Sequence, residues 1–238
     1  MRKHGRVMLP LVGMLVVLAG IRSFNDELVV QQIYGVSSML LFVGLTTYSL
    51  DAVQRVVGLG EDRLLLLSPR SRWSVAAKTI SVVCVFLAAG YLATLIPHLE
   101  EVSAQPGVHV MGLVGYIISI VAGLGLMLFV VYLLKPIRNR VWFVLGSWLL
   151  FGAVVATTAV GCILALTRGA DMTNWLLGVS AGDGFTNVYA SVLPITVGGI
   201  PQGSKVPLAF VAGNLLLAVF FWLLAALLAR RPNNYLRL

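Results

Sequence analysis

The stretch EDRLLLLSPRSRW, residues 61–73, carries side chains suited to binding another protein. Leu64–Leu67 are four consecutive apolar residues with charged residues on both sides. Apolar anchors inside a charged rim are a common chemistry of protein docking surfaces. The alternative is a helix lying under lipid headgroups, with its arginines against anionic lipid. Because Pro69 disfavours helix at Ser68, the predicted shape is an amphipathic helix, a Ser-Pro corner and a basic turn.

Groups that could catalyse a reaction or hold a metal are few. Glu100 and Glu101 lie in a segment with Pro and Gly nearby and no partner histidines on neighbouring spans. A solvated acidic loop is therefore a better interpretation than an intramembrane protease. His4, His98 and His109 are not in metal-ligand spacing. We expect no catalytic centre, no metal and no cofactor bound by this chain.

The composition is that of an integral membrane protein. Apolar residues make up 59% of the 238 residues and charged residues only 11%, and the mean hydropathy is +0.94. Soluble domains carry about 25% charged residues. A transmembrane helix needs roughly 20 mostly apolar residues. Six segments qualify: about 7–24, 29–50, 79–97, 109–134, 142–166 and 207–229. We expect them to form a single transmembrane domain, residues 1–238.

The basic residues predict how these spans are oriented. When the N-terminus is placed in the cytoplasm, all but three of the 17 basic residues fall on the cytoplasmic side. The exceptions are Arg22, Arg168 and Lys205. This asymmetry across short loops predicts six spans with both termini in the cytoplasm. The net charge of +8 is then a topology signal, and we expect membrane lipid rather than nucleic acid as a contact.

Uncharged polar residues inside the predicted spans are candidates for an inner surface that contacts a transported molecule. Such residues more often join helices by hydrogen bonds than touch cargo. No charged residue remains in the middle of a predicted span, which disfavours a self-powered carrier. The candidates for a substrate pathway are Ser37, Ser38, Thr46, Thr47, Thr157, Thr158 and Asn214.

The external segment between the fifth and sixth predicted spans, residues 167–206, is too long for an ordinary connection. Its apolar groups, around Trp175 and Pro194, are interrupted by glycines and Pro201. Backbone at membrane depth must be helical or buried in protein. We therefore expect two short helices that dip into the outer leaflet, with an ordered external loop as the alternative.

Residues 61–73, followed by Ala77 and Lys78 at the head of the third span, resemble a segment of type 2 ABC exporter permeases. That segment has an acidic/basic pair, the pattern L-x-x-L-x-x-x-P-x-S-R and a lysine entering the next helix. The family also has six spans, cytoplasmic termini and a long external segment between the fifth and sixth spans, and all three features fit this chain. The resemblance implies an all-α membrane protein with a cytoplasmic coupling helix between spans two and three and an external re-entrant helical hairpin, which would include Trp175, Pro194 and Pro201.

The resemblance also implies partners. The coupling helix would seat on a separate cytoplasmic ATPase subunit, which binds ATP and magnesium, so this chain would not itself be an enzyme. A second permease subunit, the same chain or a related one, would complete the pore in the plasma membrane of a bacterium. The residues expected to dock the ATPase are Glu61, Asp62, Arg63, Leu66, Ser68, Pro69, Arg70, Arg72 and Trp73.

The class of cargo follows only by analogy. A compact permease with no large external domain resembles exporters of peptides, bacteriocin-like molecules or hydrophobic small molecules. The alternative function is a non-transporting immunity or sensor protein of the membrane that binds a toxin or a lipid. An intramembrane enzyme is disfavoured because the sequence offers no set of catalytic groups.

Overall fold

The computed structural model describes residues 2–25, 27–59, 72–99, 103, 106–167, 177–182, 185–190, 196–197 and 208–229. Helices account for most of these residues. The six long helices are α1 (Arg2–Ser23), α2 (Leu28–Val53), α3 (Arg72–Thr94), α4 (Pro106–Leu133), α5 (Arg140–Thr167) and α6 (Leu208–Ala229). The chain continues from α2 into a π-helical turn, Gln54–Gly58, and from α3 towards a short 3₁₀ helix, Ile96–His98.

Five of the described helices are long and apolar enough to cross a membrane. The qualifying stretches are Gly5–Ser23, Gln32–Gly58, Ala77–Thr94, Leu113–Leu133 and Val211–Ala229. This confirms the prediction of a helical protein of multi-pass membrane character. The remaining helix, α5, contributes a shorter apolar stretch, Arg140–Val154. A sixth crossing by α5, the side on which the termini lie and the coupling helix stay predictions.

Helix α4 is the centre of the bundle. It packs against α2, α3, α5, α6 and the π-helical turn, and residues 122–128 are all buried. Lipid tails are as apolar as leucine, so close packing, rather than escape from water, holds membrane helices together. A helix buried along one continuous run is suited to organise the others around it.

Three aromatic rings join α2, α3 and α4. Tyr116 of α4 stacks on Tyr91 of α3 with ring centroids 4.4 Å apart and planes 20° apart. Phe42 of α2 meets Tyr116 edge-on, at 6.4 Å and 74°. The Tyr116 hydroxyl donates a hydrogen bond to the Leu87 carbonyl oxygen, 3.4 Å away. Offset and edge-on pairs contribute about 0.5–1.5 kcal/mol beyond their burial, so this cluster favours one arrangement of the three helices.

Helix α6 packs mainly on α4. The indole Nε1 of Trp222 donates to the Val121 carbonyl oxygen at 2.9 Å, and the Phe129 and Phe221 ring centroids are 6.0 Å apart. A Cβ added at Gly125 would lie 2.8 Å from Trp222 Cδ1, so glycine permits this approach. We call these five residues the α4–α6 seam. Large apolar side chains are exposed on other parts of α6: Leu215, Leu216, Val219, Phe220, Leu223 and Leu227.

The segment between α5 and α6 contains strands where helices were predicted. Strand β1 (Leu177–Gly182) pairs antiparallel with β2 (Phe185–Ala190), and β2 pairs antiparallel with β3 (Thr196–Val197). In register, Leu177 faces Ala190 and Gly182 faces Phe185. The predicted helical hairpin is therefore wrong for the described part of residues 174–201.

The physical reason lies in how backbone groups are paired. The prediction assumed helix because helices pair their own N–H and C=O groups, but neighbouring strands also pair them. Val179, Val188 and Tyr189 are residue types that favour strands. Strands β1 and β2 contact α5, and β3 contacts α2. The hairpin residues Trp175, Pro194 and Pro201 lie outside the described residues.

Candidate functional site

One end of the bundle brings together the end of α2, the turn after α4 and the start of α5. We call it the basic end because it carries Arg55, Lys135, Arg138 and Arg140. Lys135 is 7% exposed, and its Nζ lies 5.5 Å from the centroid of the Tyr132 ring. Cation–π contacts of this kind contribute about 0.5–2 kcal/mol. The charge distribution predicts that this end faces the cytoplasm.

The end of α2 departs from α-helical geometry. The Leu59 N–H donates to the Gln54 carbonyl oxygen at 2.8 Å, five residues back along the chain. Single π-helical turns are rare in proteins, and those that occur are often found at functional sites. A Cβ added at Gly58 would lie 2.8 Å from Phe143 Cε1 and 3.2 Å from Val131 Cγ1. Glycine at this position thus allows the turn to lie directly against α5 and α4.

The first turn of α5 is fixed by a cap. Asn139 Oδ1 accepts hydrogen bonds from the backbone N–H groups of Val141 at 2.9 Å and Trp142 at 3.3 Å. Asparagine is a preferred N-cap, because its side chain satisfies amides that have no partner inside the helix. The cap sets where α5 begins, and one side of its first two turns then lines a space beside the π-helical turn.

That space is a cavity of about 520 Å³, which we call the basic-end cavity. Small-molecule sites in proteins commonly measure about 300–1,000 Å³. Its α5 residues follow helical spacing, one and four residues apart, as expected for one face of a helix. The residues that line it are Asp51, Gln54, Arg55, Leu59, Arg140, Val141, Val144, Leu145 and Trp148.

The described charged residues that line the basic-end cavity are Asp51, Arg55 and Arg140. Arg55 Nε lies 2.7 Å from Asp51 Oδ2, one helical turn apart, and the side chains are 45% and 30% exposed. An ion pair this exposed adds only about 0–1 kcal/mol. The cavity thus presents two guanidinium groups, and the described contact of one of them with Asp51 is a weak one.

A buried amide lies at the same place. Gln54 is 1% exposed, and within the described part of the chain its Nε2 has no hydrogen-bond partner. Leaving a buried donor unsatisfied costs about 1–3 kcal/mol. The cavity therefore combines two guanidinium groups, one unsatisfied amide and an apolar wall. This set can bind a molecule with an anionic oxygen-rich end and an apolar end.

The predicted pathway residues are scattered between buried and exposed positions. Thr47 and Thr157 are exposed, Ser37 is half-buried, and Thr158's side chain is outside the description. Ser38, Thr46 and Asn214 are buried. Two of the hydroxyls bond within their own helices: Ser38 Oγ to the Gly35 carbonyl at 3.0 Å, and Thr157 Oγ1 to the Val154 carbonyl at 2.9 Å. None of those described lines the basic-end cavity, so a shared pathway stays a prediction.

The predicted docking residues cannot be placed in the same way. Glu61, Asp62, Arg63, Leu66, Ser68, Pro69 and Arg70 lie outside the described residues. Arg72 and Trp73 fall in the first turn of α3, and their side chains are also outside the description. Where the chain is described, no group of three or more His, Cys, Asp or Glu side chains could hold a metal ion.

The sequence contained one signal near the basic-end cavity. Gly58 follows the second predicted span, where glycine permits a bend or a close approach, and it lies at the close contact with Phe143. The cavity itself was missed because its walls come from segments more than eighty residues apart in the chain. The chain matches no protein-family model, no curated protein and no solved structure.

Proposed function

We propose that this chain is the membrane subunit of an ATP-driven exporter that moves a peptide, a bacteriocin-like molecule or a hydrophobic small molecule out of the cytoplasm. The observation that carries the proposal is the π-helical turn, which is packed into the bundle immediately before residues 61–73. These residues are the segment that resembles the coupling helix of type 2 ABC permeases. A docking segment has to be connected to the membrane helices that it moves.

The connection on the α2 side is short and tight. The π-helical turn ends at Gly58, and this glycine meets the Phe143 ring and Val131 without room for a Cβ. Close-packed interiors transmit displacement because they contain few voids. A force applied to residues 61–73 would therefore reach the start of α5 and the end of α4 through this contact.

The connection on the other side is α3, which begins at Arg72. Through Tyr91 it stacks on Tyr116 of α4, and it also packs on α1 and α2. Both flanks of the predicted docking segment thus lead to the central helix. This arrangement supports coupling to a partner better than it supports a segment that only rests on lipid.

The proposal extends to the whole complex. Two permease subunits would form the pore, and two ATPase subunits would supply the energy and bind ATP and magnesium. Exposed apolar side chains on α1, α5 and α6 offer surfaces for lipid and for a second membrane subunit. In this arrangement α5 is the sixth span, and both termini lie in the cytoplasm.

The test is copurification of the tagged chain with ABC ATPase subunits of its own cell, together with ATP hydrolysis by the purified complex. The variants are the double reversal Arg63→Glu and Arg70→Glu, and separately Leu66→Asp. Repulsion at a desolvated interface costs a few kcal/mol, so we expect binding to fall by at least about tenfold. The matched control is Arg138→Glu, a charge reversal on the basic end but outside the segment. Normal binding and hydrolysis in both segment variants would refute docking.

A further inference from the structure

We propose that the basic-end cavity binds the phosphate headgroup of an anionic phospholipid, with the acyl chains along the exposed apolar side of α5. This inference does not rest on the proposed exporter function, because the site belongs to one chain and needs no ATPase. The described lining of the cavity comes from α2, the π-helical turn, Leu59 and α5.

The polar side of the cavity suits a phosphate. Arg55 and Arg140 both line it, and a guanidinium presents its N–H groups in a fork that matches phosphate oxygens. Arg55 Nε already contacts Asp51, but a guanidinium has about five N–H donors and can serve more than one acceptor. The buried Gln54 amide adds a donor that lacks a partner among the described residues.

The charged groups favour an anionic headgroup over a zwitterionic one. Among the described residues of the lining, Arg55 and Arg140 are cationic and Asp51 is anionic. Phosphatidylglycerol presents to these guanidinium groups a phosphodiester with no cation of its own. Phosphatidylcholine would bring a cation close to them.

The apolar side of the cavity selects a lipid over a free phosphate. Val141 and Leu145 line the cavity and are also 70% and 43% exposed, so the wall continues onto the outer surface of α5. Trp142 and Leu149, exposed at 63% and 64%, extend the apolar surface of α5. A soluble anion would make no apolar contact with this wall, whereas acyl chains would cover it.

The level of the cavity in the membrane agrees with a headgroup site. The stretch Gln32–Gly58 has 27 residues, and a helix of that length extends roughly 40 Å at about 1.5 Å per residue. The hydrocarbon core is about 30 Å thick, and the headgroup regions bring the bilayer to about 40–45 Å. The last turns of the stretch, with Asp51, Gln54 and Arg55, therefore reach the headgroup layer.

The experiment measures lipids retained by the full chain, purified in mild detergent and analysed by native mass spectrometry. The probes are phosphatidylglycerol and phosphatidylcholine of equal chain length, each added at the same concentration. Wild type is expected to retain phosphatidylglycerol preferentially. Arg140→Gln should lower that retention about fivefold, the loss expected for one basic side chain near a lipid headgroup. Arg140→Lys keeps the charge and should retain an intermediate amount.

The matched control is Arg138→Gln. It removes the same charge two residues away, on an exposed side chain that does not line the cavity, and it should leave retention unchanged. Inorganic phosphate at millimolar concentration should not displace the bound lipid. Equal retention of the two lipids, equal losses in Arg138→Gln and Arg140→Gln, or displacement by inorganic phosphate would each overturn the proposal. Unfolding of Arg140→Gln is checked by gel filtration, and Arg140→Lys then carries the test.

Discussion

The α4–α6 seam and the basic end are both built around a glycine that faces an aromatic ring. In the α4–α6 seam, Gly125 faces the Trp222 indole, which also donates a hydrogen bond to the Val121 carbonyl. At the basic end, Gly58 faces the Phe143 ring next to an open cavity. The first contact lies between two regular helices. The second lies where α2 has already left α-helical geometry.

The two contacts differ in how firmly they fix the helices that they join. An indole that is both packed and hydrogen-bonded fixes α6 on α4 in one position, since the polar contact and the ring must fit together. The Gly58 contact with Phe143 is one of close packing, and the space of the basic-end cavity lies beside it. We infer that the α4–α6 seam sets the architecture, whereas the basic end can be displaced by a partner or a ligand. Substitutions at both glycine contacts and at their polar neighbours test that contrast.

The largest effect is expected for Gly125→Leu. The new side chain would start 2.8 Å from Trp222 Cδ1 and 3.0 Å from its Nε1, which forces α6 away from α4. Overpacking costs about 1–3 kcal/mol, and loss of the Trp222 bond adds to it. The measurement is the free energy of unfolding in mixed micelles. Gly152→Leu is the control, because nothing lies within 4 Å of a Cβ there. Equal losses at both glycines would remove the case for a fixed seam.

A smaller effect is expected for Gly58→Ala. Its methyl group would press on the Phe143 ring, and shifting that ring should cost about 1 kcal/mol of unfolding free energy, the lower part of the overpacking range. The double variant with Phe143→Leu should recover stability relative to the sum of the two single changes, which marks a direct contact. Gly35→Ala, in open surroundings on the same helix, should be neutral. Strict additivity of Gly58→Ala and Phe143→Leu would show that the two positions do not touch.

The same contrast shows what the sequence predicted well. Each of the six predicted apolar segments overlaps one of the six long helices, and most ends agree closely, although α1 and α3 begin earlier than predicted. Five of these helices qualify as membrane spans. Hydropathy marks such helices because a bilayer requires long apolar runs. Neither glycine contact could be predicted in this way, since each depends on which residue of a distant helix comes opposite.

The external segment failed for a different reason. Apolar groups between residues 174 and 201 were interpreted as membrane-dipping helices, and the strand signal was passed over. The dipeptide Asp183-Gly184 stands between two six-residue runs, and such a pair between apolar runs is a strong hairpin signal. Strands β1 and β2 pair with two residues between them, Gly182 facing Phe185. A local signal was therefore present, but an assumption about the membrane outweighed it.

A smaller loss is expected for Trp222→Phe. This change keeps most of the ring but removes the N–H that donates to the Val121 carbonyl at 2.9 Å. Side-chain hydrogen bonds between membrane helices average about 0.6 kcal/mol, so the free energy of unfolding should fall by roughly that amount. Trp142→Phe, at a position 63% exposed, is the control and should change little. If the two tryptophan variants unfold alike, packing alone holds the α4–α6 seam.

The smallest effect on stability is expected for Asp51→Asn, which breaks the 2.7 Å ion pair with Arg55. Because both side chains are partly exposed, the pair is worth at most about 1 kcal/mol and salt reduces it further. We expect a change of less than about 0.5 kcal/mol in the free energy of unfolding. The same change removes the Asp51 carboxylate from the lining of the basic-end cavity, so a negative charge beside the two arginines is lost. Phosphatidylglycerol retention should therefore increase while stability stays nearly constant. That separation is what a surface built for binding, rather than for holding helices together, would produce. A loss of stability as large as that of Gly125→Leu would instead make the basic end a second structural seam.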